Sequence, residues 1–154
     1  MERKEEVSYC LDALKKVGAD KAACSINMTE KKELNVENGE ITLLRTTFNN
    51  NMGISVIKDQ KKGSTSINKT DKESIDDAIE LVMEMSKGSQ PDDAYDIAEY
   101  QPAQSFSKGD KSANLDTMYQ SLEEFVEYVK TTYPQIQLEQ AIMDFNHSHS
   151  LFQN

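Results

Sequence analysis

From Asn51 to Glu99 the chain spells out a strand, a charged hairpin turn, a second strand, a capped helix and a Pro-Asp-Asp loop, without a gap. Gly53–Lys58 places Ile54 and Val56 on one face, as a half-buried strand requires, and Gly63–Asn68 brings the chain back after the turn at Asp59–Lys62. Thr70 with Glu73 has the spacing of a capping box, which predicts the start of a helix there. Ile75, Ala78, Ile79, Val82 and either Met85 or Ser86 then recur at helical spacing, with Met83 and Met85 as fillers of the core and Gly88 as the stop. Asp76 and Asp77 fall on the solvent side of that helix. A hairpin running directly into an amphipathic helix restricts the fold to a sheet with helices laid on it.

The flanks extend this pattern. Val7, Cys10, Leu11, Leu14 and Val17 form an apolar stripe, predicting a first helix over Glu2–Val17 that Gly18 caps. Ala22, Cys24, Ile26 and Met28 alternate as a strand. Asn38-Gly39 is a strong hairpin signal between strands at Glu33–Glu37 and Ile41–Asn49, and Asn49–Asn51 reads as one more turn. The expected sheet is thus a meander of about five strands, which favours antiparallel pairing. Periodicity lapses from Ser89 to Ser112. A third helix is expected at Leu115–Thr132, with Leu115, Met118, Leu122, Phe125, Val126 and Val129 inward and Tyr133-Pro134 as its end. Gln137–Phe145 reads as a strand, and Ser150–Gln153 as the start of its partner.

The fold class expected is α+β, a mainly antiparallel sheet with two or three helices packed on it. Its organisation is expected as an N-terminal domain over 1–100, a linker over 101–113, and a helix plus strand over 114–154 that leads toward a further domain. The pattern stops at Asn154 in mid-strand, so the chain is expected to be the first part of a longer one.

Composition narrows the function. The hydrophobic share is 37%, against roughly 45–50% in an ordinary globular domain, so the core is thin for the length. With 27 acidic and 17 basic residues the net charge is -10, which repels nucleic acid and anionic membranes at long range. The densest basic run, Lys58–Lys62, sits in a turn and reads as a solvated loop. No apolar run approaches a membrane span, and MERKEEVSYC has no signal-peptide core, so the cytoplasm is expected. Cys10 and Cys24 have neither disulfide-framework nor zinc-finger spacing and read as buried thiols.

Few residues could carry chemistry. His147 and His149 have HxH spacing, but a catalytic zinc usually takes three protein ligands, and Asn146–Ser150 reads as a polar turn. Asp144 would join them only if that turn folded back. Asp92, Asp93 and Asp96 follow Pro91, where acids commonly build turns; the calcium-loop spacing is absent. No GxSxG, phosphate-binding glycine loop, GxGxxG or HExxH helix is present. No catalytic, cofactor-binding or metal residue is therefore assigned.

The order of motifs resembles the N-terminal domain of the TldD/PmbA family, known as modulators of DNA gyrase and as metallopeptidases. The residues that carry the resemblance are Gly53-Ile54-Ser55-Val56, the charged turn at Lys58–Lys62, Gly63-Ser64-Thr65-Ser66, Thr70–Glu73, and Asp92–Ala98. Val17-Gly18-Ala19-Asp20 is similar to the family's Gly-Ala-Asp opening, and Ser150–Asn154 to the strand that enters its Asn-Ser-x-Gly segment. In that family the zinc is held by an HExxxH helix beyond this domain, and nothing here matches it. The resemblance implies a non-catalytic N-terminal region that helps a homo- or heterodimer to assemble and to enclose unfolded peptide. Zinc is then expected only in the full-length parent or its partner. Gly-Ser-Thr-Ser is closer to the PmbA branch, which lacks the zinc motif. The alternative from another class is an independent acidic protein-interaction module with no enzymatic parent.

Overall fold

Strand alternation continues well past the points where the sequence suggested turns. In the computed structural model, which describes residues 3–99 and 101–154, the elements are α1 (Arg3–Lys16), β1 (Lys21–Glu37), β2 (Glu40–Lys58), β3 (Lys61–Ile67), α2 (Lys72–Gly88), α3 (Leu115–Thr132) and β4 (Gln140–Gln153). They make an α+β fold with one four-stranded sheet of order β3-β2-β1-β4. β2 and β3 pair antiparallel from Met52↔Ile67 to Lys58↔Lys61. The five-strand meander is corrected to β1, β2 and β3, with β4 added beside β1. The polar stretches Thr29–Lys32 and Asn49–Asn51 stay extended, because asparagine and lysine are tolerated in a strand whose backbone is paired. Ser150–Gln153 likewise continues β4 and does not open a partner strand.

Two turns do fall where expected. Asn38 and Gly39 (φ 52° and 79°) join β1 to β2, and Asp59 and Gln60 (φ 50° and 60°) join β2 to β3. Left-handed pairs of this kind suit the twist of a two-residue hairpin.

The chain divides into two compact units, each assembled from separated stretches. Unit 1 comprises 1–28, 49–105 and 149–154. Its core joins Val7, Cys10 and Leu14 of α1, Cys24 and Ile26 of β1, Met52, Ile54 and Val56 of β2, and Ile75, Ala78, Ile79, Val82 and Met83 of α2. Gly63 lets α2 approach β3 backbone to backbone: a Cβ there would lie 2.2 Å from the Val82 carbonyl oxygen. Ser86, fully buried, donates its hydroxyl to the Lys61 carbonyl at 3.1 Å. It fills the place left open between Met85 and Ser86, and Met85 is exposed rather than a core filler.

The α2 cap is shifted by one residue from the expected box. Asp71, not Thr70, is the N-cap; its carboxylate accepts from Ser74 N–H at 3.0 Å and from the Ser74 hydroxyl at 2.9 Å. These bonds hold the Asp71 carboxyl below the usual carboxylate range. Thr70 instead donates to Glu6 of α1. Asp76 is half-buried and accepts from the Tyr9 hydroxyl, correcting its reading as free surface charge. At the other end of α1, Gly18 (φ 91°) ends the helix as expected, and Val17 lies exposed beyond the stripe.

Unit 2 comprises 29–48 and 106–148. Asn114 caps α3 by accepting from Thr117 N–H at 3.1 Å, and the helix closes at Tyr133. Its core is small: Leu34 and Val36 of β1 against Leu122 and Val126 of α3, with Ile41, Met118, Leu138, Ala141 and Met143 partly buried around them. Phe125, expected inward, is exposed, because the buried stripe narrows to Leu122 and Val126. On β1, Glu33 is also buried, 3% exposed, and is paired with Lys31 and Arg45. β4 runs beside β1: Asn38 N–H donates to the Glu139 carbonyl at 3.0 Å, and the Thr29 and Ser148 hydroxyls meet at 3.2 Å.

Candidate functional site

Alternation along the strands of unit 1 sorts their side chains onto two faces. Cys24, Ile26, Met52, Ile54 and Val56 join the core with α1 and α2. The residues between them point the other way. The β2–β3 register sets Gly53 opposite Ser66 and Ser55 opposite Ser64, and Ser25 stands close to Gly53. The result is a shallow depression of about 400 Å³ with a floor of glycine and serine, to which Phe152 of β4 adds an exposed ring.

Hydroxyls on such a floor can donate and accept hydrogen bonds. None of the residues lining the depression is a histidine, carboxylate or lysine, so no lining side chain can serve as a base for these serines. The arrangement suits contact with a polar chain or a second protein surface.

The residues singled out in the sequence do not converge. Both cysteines are free and buried in the core of unit 1. The hydrogen bond to Cys10 and then burial push the Cys24 thiol up, which leaves it a poor nucleophile. His147 and His149 lie in β4 itself, not in a turn, and His149 is exposed. Asp144 pairs with Lys31 at 2.9 Å. Among the described residues no group of three His, Cys, Asp or Glu side chains stands close enough to hold a metal ion, so the donor set does not fit zinc.

The acids after Pro91 build a turn, as expected of them. Asp92 N–H donates to the Gln60 carbonyl at 2.8 Å, and its carboxylate accepts from Ala94 N–H at 2.8 Å. Asp96 pairs with Lys21, which holds its carboxyl below the usual range. The basic turn is similarly occupied. Asp20 accepts from Asp59 N–H at 2.7 Å and from Lys58 at 3.1 Å, while Lys61 donates to the Lys87 carbonyl at 3.2 Å. Two of the loop's cations are thus engaged within unit 1. Among the described residues no helix is long and apolar enough to cross a membrane.

The sequence alone does not reveal the serine floor formed at Gly53, Ser55, Ser64 and Ser66. Its signal was the alternation of small polar residues in both arms of one hairpin, which brings them together once the register is known.

Residues 22–86 match the family model of the PmbA/TldA metallopeptidase domain 1. No curated protein matches the chain. Among solved structures, the chain is similar to TldE from Thermococcus kodakarensis, at TM-score 0.73 and 19% identity, covering 96% of this chain and 34% of that one. A protein described as a modulator of DNA gyrase, from Bacteroides thetaiotaomicron, aligns at TM-score 0.65 and 14% identity, over 98% of this chain and 36% of that one. Another so described, from Thermotoga maritima, aligns at TM-score 0.65 and 11% identity, over 97% and 34%. The chain therefore spans about a third of the length of the structures it matches.

Proposed function

Since this chain carries the N-terminal domain of the TldD/PmbA family, we propose that it serves as the non-catalytic N-terminal region of a TldD/PmbA-type metallopeptidase or of its zinc-less partner. Its work in this proposal is assembly and the enclosure of unfolded peptide. The observation that supports it most is the alignment of nearly the whole chain with one third of TldE, which leaves the other two thirds of such a protein to supply the rest.

The hydroxyls of the depression in unit 1 suit contact with such a peptide. Zinc belongs, in this proposal, to the remainder of the parent or to a TldD-type partner subunit, in the cytoplasm. The Gly-Ser-Thr-Ser run of β3 and the likeness to TldE favour the PmbA branch, hence a heterodimer with a zinc-bearing subunit.

The deciding experiment is to sequence the gene onward from Asn154. Continuation into an Asn-Ser-x-Gly segment with no HExxxH helix is the expected result. A downstream HExxxH would move the parent to the zinc-bearing branch. An immediate stop codon would overturn the proposal in favour of an independent acidic module.

A further inference from the structure

The chain has two cysteines, Cys10 and Cys24, and the fold brings them together. Cys10 enters the core of unit 1 from α1 at 0% exposure and Cys24 from β1 at 1%. Both are free thiols, and they stand in hydrogen-bond contact where the helix crosses the strand. The remaining members of the buried cluster are aliphatic side chains and methionines, so within it each thiol has the other as its polar neighbour.

α1 has polar ties to the other helix. Thr70, just ahead of α2, donates to Glu6 at 3.1 Å, and the Tyr9 hydroxyl donates to Asp76 of α2 at 2.5 Å. Toward β1 the helix is held by packing, and Cys10 against Cys24 is the contact at which a covalent bond can form.

The pair is asymmetric. The Cys24 S–H donates to Cys10, which lowers the Cys10 thiol against the opposing effect of burial and raises Cys24. Cys10 is therefore the thiol that supplies the reactive thiolate, and Cys24 the one that keeps its proton. Cys24 also lines the serine depression, between Ala23 and Ser25, so its thiol lies one strand's thickness beneath an open surface. Local opening at that depth admits a molecule of two oxygens and excludes a bulky disulfide reagent.

We propose that Cys10 and Cys24 form a peroxide-responsive thiol pair whose disulfide pins α1 to β1. The Cys10 thiolate attacks one oxygen of hydrogen peroxide; the O–O bond breaks, hydroxide leaves, and Cys10 becomes a sulfenic acid. That step removes the anion that kept the proton on Cys24. The Cys24 sulfur then attacks the Cys10 sulfur; the S–S bond forms, the S–O bond breaks, and the departing hydroxide leaves with the Cys24 proton as water. Two thiols are thereby oxidised by two electrons and one peroxide is reduced to two waters. Closing a loop of about 15 residues removes freedom from the unfolded chain and should raise the folded-to-unfolded ratio about a hundredfold. In a reducing compartment the resting state is the dithiol. This device is independent of the enclosure role proposed above.

The test treats the folded 154-residue chain with hydrogen peroxide and follows the peptides that carry Cys10 and Cys24 by mass spectrometry. The expected product is a monomer in which those peptides are joined and lack the two thiol hydrogens. Its urea midpoint should rise by the equivalent of that hundredfold, and dithiothreitol should restore both mass and midpoint. Cys24→Ala should stop at a sulfenic acid on Cys10, which dimedone traps, whereas Cys10→Ala should leave Cys24 reduced. The wild-type measurements decide the matter if either variant does not fold. Thiols that stay reduced while the methionines oxidise would overturn the inference. So would a disulfide that forms only in urea or only between two chains, a sulfenic acid trapped on Cys24 in place of Cys10, or an oxidised chain no more stable than the reduced one.

Discussion

The two units of this chain are built from the same long strands and stabilised in different ways. Unit 1 lays two helices over its strands and gathers thirteen buried side chains into one cluster. Unit 2 has one helix, four buried apolar side chains, and a buried glutamate held by ion pairs. Fully burying a side chain of this size contributes roughly 1.5–3 kcal/mol, so the difference between the clusters is large compared with the stability of a typical domain. The low apolar content of the sequence is shared evenly by the two units, and what differs is burial: in unit 2 Leu43, Leu44, Phe48, Phe125 and Ile142 remain exposed. Unit 2 is the under-filled one of the two.

The largest perturbation should come from Gly63→Ala. The new Cβ meets a backbone carbonyl, which cannot rotate aside as a side chain can, and the expected loss exceeds about 3 kcal/mol. Denaturant unfolding followed at amides of unit 1 checks it; a wild-type midpoint would show that α2 and β3 are not held at this distance. Next comes Leu122→Ala, which removes one of four core residues of unit 2 and should cost about 2–3 kcal/mol. Its exchange protection should fall mainly at α3 and at Leu34–Val36. A uniform fall in both units would erase the contrast between them.

Acid should separate the units further. Lys31 first, and then Arg45, hold the Glu33 carboxyl below its ordinary range. Its folded value lies below its unfolded one, so its stabilisation is full above a pH of about 4 and lost as pH falls through the folded value. The lowered carboxyls of Asp20, Asp71 and Asp96 in unit 1 serve exposed turns and a cap. Amides of β1 and α3 in unit 2 should therefore lose protection first on acidification, and Glu33→Gln should flatten that response. The smallest effect concerns the α2 cap: Asp71→Ala should cost about 1 kcal/mol, and Glu73→Ala markedly less. The reverse order would restore the capping box at Thr70 and Glu73.

Much of the fold was legible because two periodicities dominate it. The helix spacing of Val7, Cys10 and Leu14, and of Ile75, Ala78, Ile79 and Val82, identified the buried faces. The third helix fell at Leu115–Thr132 as read, because Asn114 and Pro134 bracket it. Strand ends were harder. Asn49–Asn51 has turn composition, but pairing in the sheet keeps it extended, a tertiary effect that local propensity does not contain. The same holds for Asn146–Ser150, which placed His147 and His149 in a turn when they stand in β4. The serine floor needed the β2–β3 register, which no single strand carries.

Assembly is the role proposed for this domain, and light scattering on a chromatographed mixture measures it directly. The complete parent protein, mixed with a zinc-bearing TldD-type subunit from the same source, should elute as a heterodimer with the mass of one copy of each. Two separate species that never combine, with no self-association of the parent either, would contradict the proposed role of this domain.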